Sequence, residues 1–368
     1  MDMSHEARAR RHADVASALA SLSDRRLAES LERARPLGSG IGGASALLTV
    51  EDVPVFAKRV PLTDLERRPG NEMSTANLFG IPPVCQYGIA AFGSPGFGAW
   101  RELAACVMTT DWVLAGRTAS FPLLYHWRVL PGAPPPTDEH ADVEAVVRYW
   151  DGAPGVRDRL HALAGASASV VLFQEYIPRD LGGWLAARRA AGPDAAAAAG
   201  ALLESCMLAD VAFMNGQELT HFDGHFGNIL TDGERLYLTD FGLATSSRFD
   251  LSEQEAEFLH RNRTHDLGYA MMRLVNWLVT AVCGVAVPVG GLPIRRNEYV
   301  RACAEGAEPE GAPPAVAAAI RRYAPVAAAM NGFYWHLYGT SRATPFPGEL
   351  IERALGAMRF DGRTAIDR

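Results

Sequence analysis

Apolar and polar positions change period several times along the chain, and each change predicts a different element. In the first 35 residues Val15, Leu19 and Leu22 recur at helical spacing, and Leu27 and Leu31 follow a capping serine, Ser23. One or two amphipathic helices are expected there, as an extension packed on the body. From Pro36 the pattern changes to short apolar runs. "PLGSGIGGASALLTVEDVPVFAKRV" reads as two strands around a Glu51-Asp52 turn, preceded by a glycine-rich loop. A loop-rich region containing Gly80, Pro82, Pro83, Gly93, Pro95, Gly96 and Gly98 follows. "AWRELAACVMTTDWVLAG" then predicts a helix from about Ala99, and "FPLLYHWRVL" a strand. Pro131 to Pro136 marks a loop or insertion, and "VVLFQEYIP" is a further strand. Beyond Arg179 helix dominates, with Ala195–Ala199 and Ala315–Ala319 as helix formers.

One apolar run needs separate treatment. Leu274 to Ile294 carries only Asn276 and Thr280 as polar side chains, but Pro288, Gly290, Gly291 and Pro293 break its second half. The helix-competent part is too short to span a bilayer and reads as a buried core helix, with no membrane partner. Composition agrees: 368 residues at 48% hydrophobic and 21% charged suffice for two lobes with a sizeable core. A net charge of -7 without a block of Lys and Arg argues against a nucleic-acid partner. Five scattered cysteines, none in a C-x-x-C spacing, suggest neither a disulfide framework nor a zinc site. With no apolar signal-peptide core at the N-terminus, a cytoplasmic location is expected.

The chemistry concentrates in "LTHFDGHFGNILTDGERLYLTDFGLATS", Leu219 to Ser246. Phosphoryl transfer from ATP requires backbone amides over the phosphates, a cation at the α/β-phosphates, carboxylate-held magnesium, and a carboxylate at the attacking hydroxyl. Each has a candidate in workable chain order. Gly38, Gly40 and Gly43 satisfy G-x-G-x-x-G between strands, and Lys58 lies at the end of the next strand. Glu102, early in the predicted helix, can pair with Lys58; Glu66 and Glu72 are rivals in a segment broken by Pro69 and Gly70. His221-x-Asp223-x-x-x-x-Asn228 places a carboxylate, Asp223, to accept a hydroxyl proton, and an amide oxygen, Asn228, to hold a metal. Asp240, before Phe241-Gly242, supplies a second metal ligand. Twelve residues separate Asn228 from Asp240, enough for two strands about an Asp232-Gly233 turn that returns both ligands to one end.

In these motifs the chain resembles the protein-kinase-like superfamily, which includes Ser/Thr protein kinases and aminoglycoside and choline phosphotransferases, over roughly Pro36 to Val285. The resemblance implies an α+β, bilobal fold: a small β-rich N-lobe (36–174) after the helical extension (1–35), and a larger helical C-lobe (175–368), with ATP between. It also implies that Gln174 precedes the hinge, that Glu175 and Ile177 offer backbone groups to adenine, and that Asp266 heads a buried helix supporting the catalytic loop. There are departures. Phe222 replaces the arginine of H-R-D, no A-P-E follows, and Phe56 replaces a small residue that packs on adenine. "DGHFGN", with His225, is closer to the D-x-H-x-G-N of aminoglycoside-type enzymes, whereas "DFGLA" and the 26-residue interval from Asp240 to Asp266 resemble protein kinases. The expected activity is that of an ATP- and Mg2+-dependent kinase acting on an alcohol, leaning to Ser or Thr hydroxyls of a protein or peptide. A small-molecule phosphotransferase and a pseudokinase binding module are the alternatives. Phenylalanine at 222 cannot neutralise a loop phosphate, and Ser252 with Glu255 forms a capping box that can order the segment after Asp240 without modification.

Overall fold

The structure, a computed structural model, describes residues 2–88 and 92–360, the side chains of 359 and 360 excepted. It is α+β, with a five-stranded antiparallel sheet and a mostly helical remainder. The described residues fall into two compact units. The first comprises Met1–Pro178, His221–Asp223 and Tyr237–Ala256. The second comprises Arg179–Thr220, Gly224–Leu236 and the chain from Glu257 onward.

The first unit begins with α1 (His5–Ser21) and α2 (Asp24–Arg33), capped by the hydroxyls of Ser4 and Ser23. Val15, Leu19 and Leu27 are fully buried, so both helices pack as their apolar stripes require. The strands β1 (Arg35–Gly40), β2 (Gly43–Val50) and β3 (Val53–Leu62) form a meander. Glu51 and Asp52 both adopt left-handed φ angles, 47° and 59°, which is the two-residue turn whose twist matches its strands. The chain then runs through α3 (Ala99–Leu114) and β4 (Leu124–Pro131). The Pro131–Pro136 stretch opens an insertion containing α4 (Val143–Tyr149) and α5 (Pro154–Ala164), which bury Val146, Val147, Trp150, Val156 and Leu160 against Ile81, Cys85 and Phe97. These two helices were not visible in the sequence pattern. The strand β5 (Ala168–Glu175) closes the sheet in the order β1-β2-β3-β5-β4. Every residue of β5 is buried, as a central strand covered on both faces requires.

The second unit is mainly helical. It contains β6 (Arg179–Asp180), α6 (Leu181–Ala190), α7 (Pro193–Leu202), α8 (Leu208–Gly216), β7 (Leu219–Thr220) and β8 (Ile229–Thr231). A turn follows in which the Asp232 carboxylate accepts the Glu234 and Arg235 N–H groups. Of the next elements, β9 (Leu236–Leu238) from Tyr237 and β10 (Thr245–Ser246) belong to the first unit, and α9 (Glu253–Arg261) enters the second unit from Glu257. The unit is completed by α10 (His265–Ala281), α11 (Ile294–Ala304), α12 (Pro314–Gly339) and α13 (Gly348–Phe360). The apolar run that opens at Leu274 is the C-terminal half of α10, which is buried along most of its length and ends before the Pro/Gly-rich stretch. Within it Asn276 exchanges amide hydrogen bonds with Asn331 of α12 at 2.9 and 3.0 Å, so neither buried amide goes unpaired. The continuous helical stretch Pro193–Gly216 is long and apolar enough to cross a bilayer by length and composition alone. It packs on α10, where Leu278 lies against Gly200.

Glycine is dictated at only some positions of the G-x-G-x-x-G run. Gly43 has φ 121°, and a Cβ there would lie 2.0 Å from the Arg59 carbonyl oxygen, whereas one at Gly40 would meet nothing within 4 Å. Gly43→Ala should therefore destabilise the fold by at least about 1–3 kcal/mol, the cost of a strained backbone, and Gly40→Ala should be near neutral in chemical denaturation. Equal midpoints for the two variants would contradict this placement of the hairpin.

Candidate functional site

Three distant segments of the first unit meet at one ammonium group. Strand β3 presents Lys58, whose Nζ donates to Glu102 Oε1 at 2.7 Å and to Asp240 Oδ1 at 2.8 Å. Glu102 reaches it from the first turn of α3, where a carboxylate also suits the helix dipole. Its rival Glu66 does different work. Glu66 accepts the Ala99 N–H at 2.8 Å, capping α3, and is held by Arg159 at 3.1 Å. Glu72 is exposed. Glu66 thus sets where α3 begins, and Glu102 follows one turn later.

Burial shapes the charges of this cluster. It would push the Lys58 ammonium down, but the Asp240 and Glu102 carboxylates outweigh it and hold the lysine above its usual range. Burial raises Glu102 despite Lys58. For Asp240 burial acts in the same direction, but the Lys58 ammonium wins and holds this carboxyl below the usual range. The Asp240 side chain is 43% exposed, against 4% for Glu102, so one carboxylate is closed in and the other faces an opening.

The backbone around the cluster is held in uncommon conformations. Asp240 and Phe222 both have φ 62°, a left-handed geometry that non-glycine residues rarely adopt. Phe222 is fully buried and meets the Tyr87 ring edge-on at 6.1 Å. His221 Nε2 lies 2.9 Å from the Thr239 carbonyl oxygen and its ring 5.1 Å from Phe241, joining the segment before Asp223 to the segment before Asp240. Asp223 is half-buried beside Gly88: a Cβ on Gly88 would lie 3.5 Å from the Asp223 carboxyl carbon and 2.4 Å from Leu243 Cδ1. Gly88, at φ 66°, was not singled out by its sequence context.

The glycine-rich tip of the β1-β2 hairpin lies over the cluster through Gly42. A Cβ at Gly42 would stand 2.9 Å from Lys58 Nζ and 3.9 Å from Asp240 Oδ1, while Gly38 and Gly40 have no such neighbours. At the end of β5, the Glu175 N–H donates to the Leu123 carbonyl at 2.8 Å. Its carboxylate is buried against Arg8 and Arg11, a role its sequence context did not announce. Ile177 is buried, and among the described residues nothing accepts its N–H. Gln174 donates to Cys106 Sγ on α3 at 3.4 Å.

Asn228 belongs to the second unit. It ends a short turn, Phe226–Asn228, and its N–H donates to the His225 carbonyl at 2.9 Å. His225 Nδ1 accepts the Gly227 N–H at 3.0 Å. Asp266, at the head of α10, accepts from Asn215 at 2.9 Å and lies 3.1 Å from His265 Nδ1. No group of three or more His, Cys, Asp or Glu side chains suited to a metal occurs among the described residues. A magnesium ion sharing its shell with water and phosphate oxygens needs only one or two carboxylates, and Asp240 meets that need.

The segment after Asp240 is tied down within the same unit. Ser252 and Glu255 form the expected capping box: the Ser252 N–H donates to Glu255 Oε2 at 3.1 Å, and the Glu255 N–H to Ser252 Oγ at 3.3 Å. The Glu255 carboxylate also takes Arg101 Nη2 at 2.7 Å. Arg101 is the residue before Glu102; it donates to the Thr75 carbonyl at 2.6 Å and lies over the rings of Phe97 and Phe249.

No family model matches the chain, and no curated protein sequence matches it. The site therefore rests on its own geometry.

Lys58→Met should cost about 3–5 kcal/mol, because it leaves the Glu102 carboxylate buried without its cation. Glu102, already above its ordinary 4.5, then rises further. A carboxyl raised by folding lends stability that is present below its unfolded value and lost as pH climbs through the folded one. Stability of Lys58→Met, followed by urea denaturation from acid to neutral pH, should fall with rising pH. Adding Glu102→Gln should remove that slope.

Proposed function

We propose that this chain is an ATP- and magnesium-dependent phosphotransferase with an alcohol acceptor, built on a bilobal protein-kinase-like fold. The observation that carries this reading is the Lys58 ammonium shared between Glu102 and Asp240 beneath a glycine-rich hairpin tip. Such an arrangement suits phosphate chemistry for an electrostatic reason. Lys58 can exchange Asp240 for a phosphate oxygen, and Asp240 can exchange Lys58 for magnesium, without either charge being left unpaired. Glu102, closed in behind the lysine, keeps the ammonium aimed during that exchange.

The remaining roles follow from chemistry and position. Asp240 would hold magnesium, which supplies neutralisation of charge on the transferring group. Asp223 is the carboxylate to accept the acceptor's hydroxyl proton. Backbone groups at Glu175 and Ile177 would take the adenine edge. Ser and Thr hydroxyls of a protein or peptide are the first acceptors to test, ahead of small-molecule alcohols.

The two aspartates should separate binding from chemistry. Asp240→Ala should abolish the magnesium-dependent rise in melting temperature on adding ATP. Asp223→Asn should keep that rise and lose roughly 10²–10⁴ in turnover. The assignment fails if Asp223→Asn turns over like the unmodified chain, or if Asp240→Ala binds magnesium-ATP normally. No turnover with any alcohol in the unmodified chain, alongside normal binding, would leave a nucleotide-binding module in place of an enzyme.

Activity should not await modification of the segment after Asp240. Thr245 and Ser246 are buried, so their hydroxyls are shielded from a modifying enzyme, and Glu255 already provides the anion that Arg101 binds. Protein shown by intact mass to be unphosphorylated at Thr245, Ser246 and Ser247 should be fully active. Alanine at exposed Ser247 should leave kcat nearly unchanged, whereas Glu255→Gln should lower it. A steep rise in turnover on phosphorylating any of the three would overturn this.

A further inference from the structure

We infer that Arg8, on the first helix, is a positioning residue for the backbone at Glu175–Ile177, so that α1 acts as a clasp on the segment assigned to the adenine base. The inference rests on the phosphotransferase reading above. Arg8 is 1% exposed and Glu175 2%, a depth that charged residues reach only when paired. The guanidinium donates from Nε to both Glu175 oxygens at 3.1 and 3.2 Å and from Nη2 to Oε2 at 2.6 Å. It also donates to the carbonyls of Ala119 at 2.9 Å and Phe121 at 2.5 Å, and lies 5.6 Å from the centre of the Tyr237 ring.

From its other side, the Glu175 carboxylate receives Arg11 Nη2 at 3.1 Å and the Leu123 N–H at 3.3 Å. One helical turn beyond Arg8, His12 Nε2 lies 3.1 Å from the Leu124 carbonyl oxygen. A single side chain thus gathers the end of β5, the 119–121 segment before β4, and the strand carrying Tyr237.

This arrangement is better suited to fixing geometry than to adding stability. A buried ion pair contributes little net stability over a well-packed apolar pair of similar volume. A planar fork of five donors, however, sets the angle as well as the distance of what it holds, which a lysine cannot do. Glu175 is the last residue of the sheet, and the backbone that leaves it carries the Ile177 N–H. Tilting Glu175 displaces that group, whereas Lys58, Glu102 and Asp240 are held by contacts that do not involve Arg8.

The full-length chain tests this with two probes, a fluorescent adenine nucleotide and magnesium tripolyphosphate, which has phosphates and no base. Arg8→Lys should weaken adenine-nucleotide binding by about tenfold or more, as misplacement of a binding group does, and leave tripolyphosphate affinity within about twofold. Should Arg8→Lys fail to fold, Arg8→Met/Glu175→Gln leaves no carboxylate buried unpaired and should show the same split. Equal affinities in variant and unmodified chain for both probes overturn the clasp alone. So does equal weakening of both probes, which marks a general structural role. An unmodified chain that binds neither probe overturns the phosphotransferase reading, and the clasp with it.

Discussion

The first unit is organised by one constraint: a lysine ammonium taken out of water must find carboxylates, and those within reach come from elements far apart in the chain. At about 4 Å and a typical effective dielectric, a unit charge pair is worth about 4 kcal/mol, comparable with the several kcal/mol that burying each ion costs. Neither Lys58 nor Glu102 can tolerate its position without the other. Strand β3 and helix α3 are therefore fixed relative to one another more tightly than apolar contact alone would fix them. Asp240 differs because its carboxylate is partly open, so it can change partners while the other two stay paired.

The same logic recurs in three buried arginine-carboxylate pairs of this unit. Arg8 holds Glu175, Arg101 holds Glu255, and Arg159 holds Glu66. Each pair fixes a place where a secondary-structure element begins or ends: β5 stops at Glu175, α9 starts beside Glu255, and α3 starts on Glu66. Apolar packing tolerates sliding, because any well-filled arrangement of similar area is nearly as good. A buried guanidinium does not, because a misplaced partner leaves it uncompensated. In this unit the ends of elements are pinned by charge and their middles are filled by apolar side chains.

That division explains what could be read from the sequence. Periodicity is local, so the two N-terminal helices, the strands around Val50 and Lys58, the helix from Ala99 and the strand β5 were legible, although β3 runs past Lys58 to Leu62. So was the pairing of Lys58 with Glu102, because Glu102 opens the helix expected after the loop-rich region. The partners of the buried arginines were not legible, since Arg8 and Glu175 lie 167 positions apart and Arg101 and Glu255 lie 154 apart. Yet a signal existed for the first pair. Arg8 falls on the same helical stripe as Val15 and Leu19, and a charge on a buried stripe must have a partner. The insertion helices α4 and α5 were hidden because their apolar residues form a small satellite core, too short to show a sustained period.

Arg101 and Glu102 stand next to each other and answer to different groups. Glu102 faces the lysine of β3, and Arg101 faces the carboxylate of Glu255 after the Asp240 turn. A helix is stiff over one turn, so holding Arg101 also holds Glu102. A phosphate placed on the segment could serve the same electrostatic purpose, binding a cation and ordering the chain around it. Here the anion is a genetically encoded glutamate, locked by its own capping box, and Phe222 is buried against Tyr87. Phe222 is fully buried, and an apolar side chain fills such a position without requiring a partner for a charge.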